Sequence, residues 1–237
     1  MSYWKGSNAV NDDLLKISKE LLSHQKDFDW VDEDAFDSAL RVGSGYLENK
    51  SGQRYYTLII PSCELIPEKM WAKIEEFAMR GGKLLFWGRR PYELVSGSFF
   101  KVSGISTPQK ALYEGNAAWS PVVEAAMPSC EISTSAPQSG LRYQRRVLSD
   151  GCFYFLFNEG DTPLSFTASF DEVGKLSRWD CRSGEIIPVE GKRQDDRTLL
   201  ELTLEPWESL ILCFERGKTE FNVRKLGFKS SSKLEQT

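Results

Sequence analysis

A single histidine, His24, serves all 237 residues of this chain, so an activated Ser or Cys would have one imidazole to draw on. Other shortages are as telling. No apolar stretch approaches the roughly 20 residues that span a bilayer, and Met1 to Asn8 lacks the charged start and apolar middle of a signal peptide. The sequence therefore predicts a chain that avoids the membrane and, as written, stays in the cytoplasm. Thirty basic against thirty-four acidic residues give a net charge of −4. Neither sign is concentrated over a long run, which leaves no electrostatic footprint for nucleic acid. The five cysteines, Cys63, Cys130, Cys152, Cys181 and Cys213, are odd in number and widely spaced. No pair has metal-ligand spacing and four of the five lie in or beside apolar runs, which predicts reduced, mostly buried thiols. No metal, cofactor or catalytic residue is expected.

What is present is most legible between Tyr55 and Pro91. Tyr56-Thr57-Leu58-Ile59-Ile60, closed by Pro61, has the pattern of a strand buried on both faces. Pro67 starts a helix at Glu68 whose apolar positions Met70, Ile74, Phe77 and Ala78 share a face, and Gly81-Gly82 end it. Lys83 to Trp87 is the next strand. Such a crossover places two parallel strands side by side, and ligands and nucleophiles sit in the turn beyond the carboxyl end of such strands. Here that turn is Gly88-Arg89-Arg90-Pro91, which contains no Ser or Cys, so the sheet reads as a scaffold.

Upstream, Asn11-Asp12-Asp13 offers caps for an amphipathic helix through about Gln25. Phe28 to Val31 reads as a strand, Asp32-Glu33-Asp34 as the cap of a short helix through Leu40, and Gly43 to Gln53 as a hairpin. A doubly wound domain normally opens with a strand, yet only Ser2-Tyr3-Trp4 precedes the first helix. The chain is thus expected to start partway into a domain, with an exposed apolar seam between Phe28 and Leu58. From Ser103 to about Gly140 prolines punctuate the pattern, leaving one helix around Val122 to Met127. Beyond it the period becomes two: Leu141 to Val147, Cys152 to Phe157, Leu164 to Phe170, Leu176 to Trp179, Glu185 to Val189, Thr198 to Leu204 and Ser209 to Phe214. Short strands with such turn separators predict an antiparallel β-sandwich. The expected fold is thus α/β plus all-β: an incomplete flavodoxin-like parallel-sheet domain over residues 1–104, a connecting segment over 105–139, the sandwich over 140–216 and a mobile tail over 217–237.

The run from Asp27 to Asp34, the hairpin into Tyr56 to Pro61 and the Gly81-Gly82-Lys83 stop resemble the glutamine-amidotransferase-like domain carried by large glycosidases. Arg145-Arg146, Phe153 to Asn158, Trp179 to Glu185 and Leu204 to Ser209 resemble the β-rich region that follows it in the α-L-rhamnosidase group known as glycoside hydrolase family 106. These segments are short, but their order fits through about Glu215. The resemblance implies a place within a larger enzyme: in such rhamnosidases the catalytic acids and a calcium site belong to a preceding barrel, which typically takes about 250 residues. No catalytic residue carries over. Two departures stand out: Gln144 replaces the family's His, and the first strand is missing.

Each tempting residue has a plain counterpart. Cys63 lies one strand early for an amidotransferase thiol and is followed by Glu64-Leu65, so a buried thiol is the better account. His24, near a helix end, suits a solvated or dipole-facing role. Asp29, Asp32, Glu33 and Asp34 could pair for glycoside hydrolysis, which needs two carboxylates about 5 to 10 Å apart, but read better as a capped turn. Arg89 and Arg90 could hold an anion or form surface salt bridges. Trp179, Trp207, Tyr143 and Tyr154 could stack on sugar rings or pack the core; Trp207, in the Pro206-Trp207-Glu208 turn, is the one expected to be exposed. Asp180 with Ser183-Gly184 reads as a tight turn. Two functions follow. The first is a non-catalytic C-terminal region of an α-L-rhamnosidase-like glycosidase, with a catalytic barrel or a second copy as partner. The second is a free-standing carbohydrate-binding or interaction protein derived from such an enzyme, which the Met1 start favours.

Overall fold

The alternation of Lys83-Leu84-Leu85-Phe86-Trp87 organises the N-terminal half. In a computed structural model that describes residues 7–96, 102–105, 112–115, 119–128 and 130–216, Leu84 and Phe86 face one core and Leu85 and Trp87 another. Successive strand residues point to opposite faces, so a strand apolar from Leu84 to Trp87 needs a partner layer on both sides. Of the described residues 41% are strand and 21% helix, so the fold is mostly β, with several sheets. The chain divides into two compact units, Met1–Leu141 and Arg142–Thr237.

The first unit carries α1 (Ser7–Ser23), α2 (Glu33–Ala39), β1 (Arg41–Val42), β2 (Leu47–Glu48), β3 (Arg54–Tyr55), β4 (Thr57–Pro61), β5 (Leu65–Pro67), α3 (Glu68–Met79), β6 (Lys83–Trp87), β7 (Glu93–Val95), β8 (Val102–Gly104), β9 (Leu112–Gly115), α4 (Pro121–Ala126) and β10 (Ile132–Thr134). β6 lies between β4 and β9, and both pairings are parallel. Trp71, Ile74 and Phe77 of α3 and Phe36 of α2 pack with Leu84, Phe86 and Ile60. On the other face Ile17 and Leu21 of α1 and Val123 and Ala126 of α4 pack with Leu85 and Trp87. The two faces are thus covered by different helices. Phe77 is fully buried, and truncating such a side chain to Ala costs about 3–5 kcal/mol. Gly81 ends the helix run at φ 92, a backbone that side chains other than glycine's rarely adopt.

Three expectations change. Residues 26–32 form no strand: Gln25 turns the chain at φ 53, and the buried Lys26 ammonium is anchored by the Glu124 carboxylate at 3.0 Å and the Pro128 carbonyl at 3.3 Å. The following segment is directed by these bonds rather than by a strand neighbour. Phe28 and Leu58 do not share a seam, because both are partly buried against cores on opposite faces of the sheet. Asn11, Asp12 and Asp13 lie inside α1, which begins at Ser7, so they are not its caps. Ser2-Tyr3-Trp4 and the tail 217–237 lie outside the described residues.

The second unit carries β11 (Leu141–Leu148), β12 (Gly151–Asn158), β13 (Leu164–Phe170), β14 (Lys175–Trp179), β15 (Ile186–Pro188), β16 (Lys192–Gln194), β17 (Arg197–Leu204) and β18 (Ser209–Glu215). One sheet runs β11-β12-β18-β14-β15; in the other, β17 lies between β13 and β16. Their inner faces meet through aromatic rings: Tyr154 stands 5.0 Å edge-on from Phe170 of the other sheet, and 5.8 Å from Phe214 of its own. Beside this core Glu172 is buried, its carboxylate bonded by Arg145 and by Arg216. Burial alone would raise its pKa, but the bonds from Arg216 and then Arg145 more than reverse this and hold it below its ordinary value of 4.5.

A group whose folded pKa is depressed stabilises the fold above its unfolded pKa and loses that contribution as acid protonates it. Stability is therefore expected to fall as pH drops below 4.5. Glu172→Gln is expected to lose about 3 kcal/mol at neutral pH, because it leaves two guanidinium groups facing an uncharged partner, and to flatten the acid limb. Urea midpoints measured from pH 7 down to pH 3 check both outcomes.

Candidate functional site

Beyond the carboxyl ends of β4 and β6 two turns meet, Ser62-Cys63-Glu64 and Gly88-Arg89-Arg90, at the place where open parallel sheets bind ligands. Hydrogen bonds between the turns fill it. The Ser62 hydroxyl accepts from the Arg89 N–H at 3.0 Å and donates to the Trp87 carbonyl at 3.3 Å. The Ser62 N–H donates at 3.2 Å to Asp13, a carboxylate only 7% exposed that α1 directs at the strand end. The Cys63 N–H donates to the Arg89 carbonyl. Gly88 sits at φ 90, and a Cβ built there would stand 2.3 Å from the Ser62 oxygen.

This arrangement leaves little to act as a nucleophile. The Ser62 proton is directed at a carbonyl rather than at a base. Burial pushes the Cys63 thiol up to about 11, far from the thiolate that reacts at neutral pH. Cys63 packs on the Phe77 side of the sheet, whereas His24, at the end of α1, stacks on Trp119 at 3.8 Å, a residue of the opposite core. The His24 Nδ1 meets the Glu20 carbonyl at 2.9 Å. The structure therefore does not bring thiol and imidazole together. Arg89 is paired with Glu64 at 2.6 Å and the Arg90 guanidinium lies over the Phe86 ring at 5.6 Å.

The acidic group disperses in the same way. Asp32 caps α2 by accepting the Ala35 N–H at 2.7 Å, and Glu33 and Asp34 occupy the first turn of that helix. Asp29 accepts the Tyr55 hydroxyl, whose pKa is pushed up to about 12 by burial and by that carboxylate. A groove beside α3, lined by Leu40, Arg41, Val42, Lys69, Lys73 and Glu76, lies elsewhere. Its Lys73 donates to the carbonyls of Phe36, Asp37 and Leu40, closing the end of α2. Among the described residues no three His, Cys, Asp or Glu side chains gather to hold a metal ion.

In the second unit Tyr154 is buried, Tyr143 and Trp179 are partly buried, and Trp207 is 63% exposed. Asp180 accepts the N–H groups of Arg182 at 2.7 Å and Ser183 at 2.8 Å, bonds that lower its pKa. The sequence alone read Asp13 only as a helix cap and assigned no role to Ser62 or Asn158. The first two act across long sequence separations. Asn158 carried a visible sign, a polar residue closing the apolar strand from Phe153.

The family model described as alpha-L-rhamnosidase, glycoside hydrolase family 106, matches residues 1–193. No curated protein matches. Among solved structures, a rhamnosidase from Novosphingobium sp. PP1Y superposes with a TM-score of 0.57 at 15% identity, over 83% of this chain and 20% of that one. An exo-carrageenase GH42 from Bacteroides ovatus gives 0.52 at 12% identity, over 87% of this chain and 27% of the other. A GH42 beta-galactosidase from G. stearothermophilus gives 0.51 at 12%, over 91% and 38%. At such identities the likeness is one of fold, and the chain spans between a fifth and two fifths of these proteins.

Iodoacetamide at pH 8 is expected to modify the exposed Cys181 first and Cys63 at least about tenfold more slowly, as peptide mass spectrometry can follow. Gly88→Ala is expected to cost about 1–3 kcal/mol in urea unfolding, from backbone strain together with the approach to Ser62.

Proposed function

This chain belongs to the alpha-L-rhamnosidase family, glycoside hydrolase family 106, and from that premise we propose that it is a non-catalytic accessory region of an α-L-rhamnosidase-like glycoside hydrolase. It supports carbohydrate degradation by bracing the catalytic barrel or its cleft. The observation that carries this reading is the turn pair beyond β4 and β6, where Asp13, Ser62 and Arg89 satisfy one another and the one nearby thiol is held in its neutral form. The parallel β4-β6-β9 sheet with helices on both faces is read as an incomplete amidotransferase-like, flavodoxin-like domain. The two facing antiparallel sheets are read as a β-sandwich. Within this account Arg89 and Arg90 carry whatever anion or carbohydrate contact the sheet edge makes, by exchanging their present neighbours Glu64 and Phe86.

The second reading, a carbohydrate-binding or interaction protein acting apart from a barrel, is favoured by the exposed Trp207 ring. A barrel, a carbohydrate and a second copy of the chain are the partners these two readings name. Mixing the chain with a separately produced barrel of the same family separates them: the first predicts a complex in size-exclusion chromatography and the second predicts none.

The purified chain is expected to release no rhamnose from an aryl α-L-rhamnoside over a day of incubation. Turnover that disappears on Asp29→Asn or Asp13→Asn would contradict the accessory reading, because it would place a working carboxylate within this chain.

A further inference from the structure

Trp207 combines two properties that packing does not explain. Its backbone is left-handed at φ 61, a conformation uncommon for a bulky residue and natural for glycine. Its side chain is 63% exposed, so burial offers little compensation. Strain retained at an exposed residue points to a use for the side chain.

The surrounding turn is built to hold that conformation. Asn158, fully buried at the end of β12, donates through its amide to the carbonyls of Thr162 at 2.8 Å, Leu204 at 3.2 Å and Glu205 at 3.0 Å, while its Oδ1 accepts the Gly160 N–H at 2.9 Å. Its own backbone N–H donates to the Glu208 carbonyl. Across the turn the Glu208 carboxylate accepts the Glu205 N–H at 2.8 Å, and Arg178 braces the same carboxylate at 3.0 Å. The indole presented by this frame stands 6.5 Å from the Phe157 ring, tilted by 44°.

We infer that the Trp207 turn is a carbohydrate-stacking platform, with Trp207 as the contact and Asn158 as a positioning residue. The ligand class is a 6-deoxyhexopyranoside of the rhamnose type. The C–H groups of such a ring lie against the indole face, and its methyl group in place of a hydroxymethyl suits the apolar ground that Phe157 extends. The Glu208 carboxylate, next to Trp207 in the turn, and the Arg178 guanidinium bonded to it are the polar groups available to the remaining hydroxyls. A rigid aromatic side chain loses little conformational freedom on contact, so fixing its backbone beforehand favours binding. The choice of rhamnose rests on the accessory reading above; the platform itself rests on the turn.

The test uses the full chain titrated calorimetrically with methyl α-L-rhamnopyranoside and with a rhamnose-terminated oligosaccharide, beside Trp207→Gly and Trp207→Phe. The wild-type chain is expected to bind saturably. Trp207→Gly is expected to bind at least about tenfold more weakly, the loss of ~1.4 kcal/mol, and Trp207→Phe to lose less. Because glycine accepts the left-handed backbone, Trp207→Gly is also expected to melt about 2–4 °C higher, so that lost binding cannot be ascribed to lost folding. Absence of saccharide binding in the wild type overturns the platform, as does undiminished binding or a lowered melting temperature in Trp207→Gly. Those outcomes leave the bracing role intact. Rhamnoside turnover by the chain would sink the accessory reading while leaving the platform in place.

Discussion

The Ser62 hydroxyl accepts the Arg89 N–H and donates to the Trp87 carbonyl, and this pair of bonds locks the turn after β4 to the turn after β6. Asp13 completes the lock from α1 through the Ser62 N–H. Backbone groups at the ends of parallel strands must find partners somewhere; in ligand-binding members of this architecture they are offered to phosphate or to an oxyanion. Here they are spent internally. The glycine at position 88 permits the close approach, since any Cβ would collide with the Ser62 oxygen. Cys63 packs against the apolar core that includes Phe77, and that burial pushes its thiol up to about 11.

The two units solve the burial problem differently. In the first, the alternation of Leu84, Leu85, Phe86 and Trp87 distributes apolar bulk to both faces of a narrow sheet, and helices cover each face. In the second, alternation along Cys152, Tyr154 and Leu156 sends one face inward, where Tyr154 and its same-sheet neighbour Phe214 meet Phe170 of the other sheet. One charged device sits beside that core. Glu172 with Arg145 and Arg216 ties the start of the unit to the residue that follows β18, and Thr198 fixes the Glu172 backbone from β17. Removing any one member of the trio would leave a buried charge without its partner.

Much of this was legible in the residues themselves. The β4-α3-β6 crossover declares itself through Pro61, Pro67 and Gly81, which act within a few positions of the boundaries they set. The strands from Leu164 to Phe170 and from Ser209 onward follow from period two. What escaped are elements of two or three residues, such as β5, β7, β8 and β16, whose pairing is decided by neighbours distant in sequence rather than by their own pattern. Phe28 to Val31 alternates like a strand, yet the turn at Gln25 and the Lys26 ion pair direct it elsewhere. The edge turns show the same division: the lack of a nucleophile in Gly88-Arg89-Arg90 could be read directly, while the Asp13 and Ser62 contacts that close the space could not, being 49 residues apart.

Hydrogen–deuterium exchange of the amides at Ser62, Cys63 and Arg89, compared with the exposed turn from Asp180 to Glu185, tests the internal closure most directly. The account predicts protection at the first three close to that of β6. Exchange as fast as in the exposed turn would show that the sheet edge opens to solvent, and would contradict the claim that its donors are already committed.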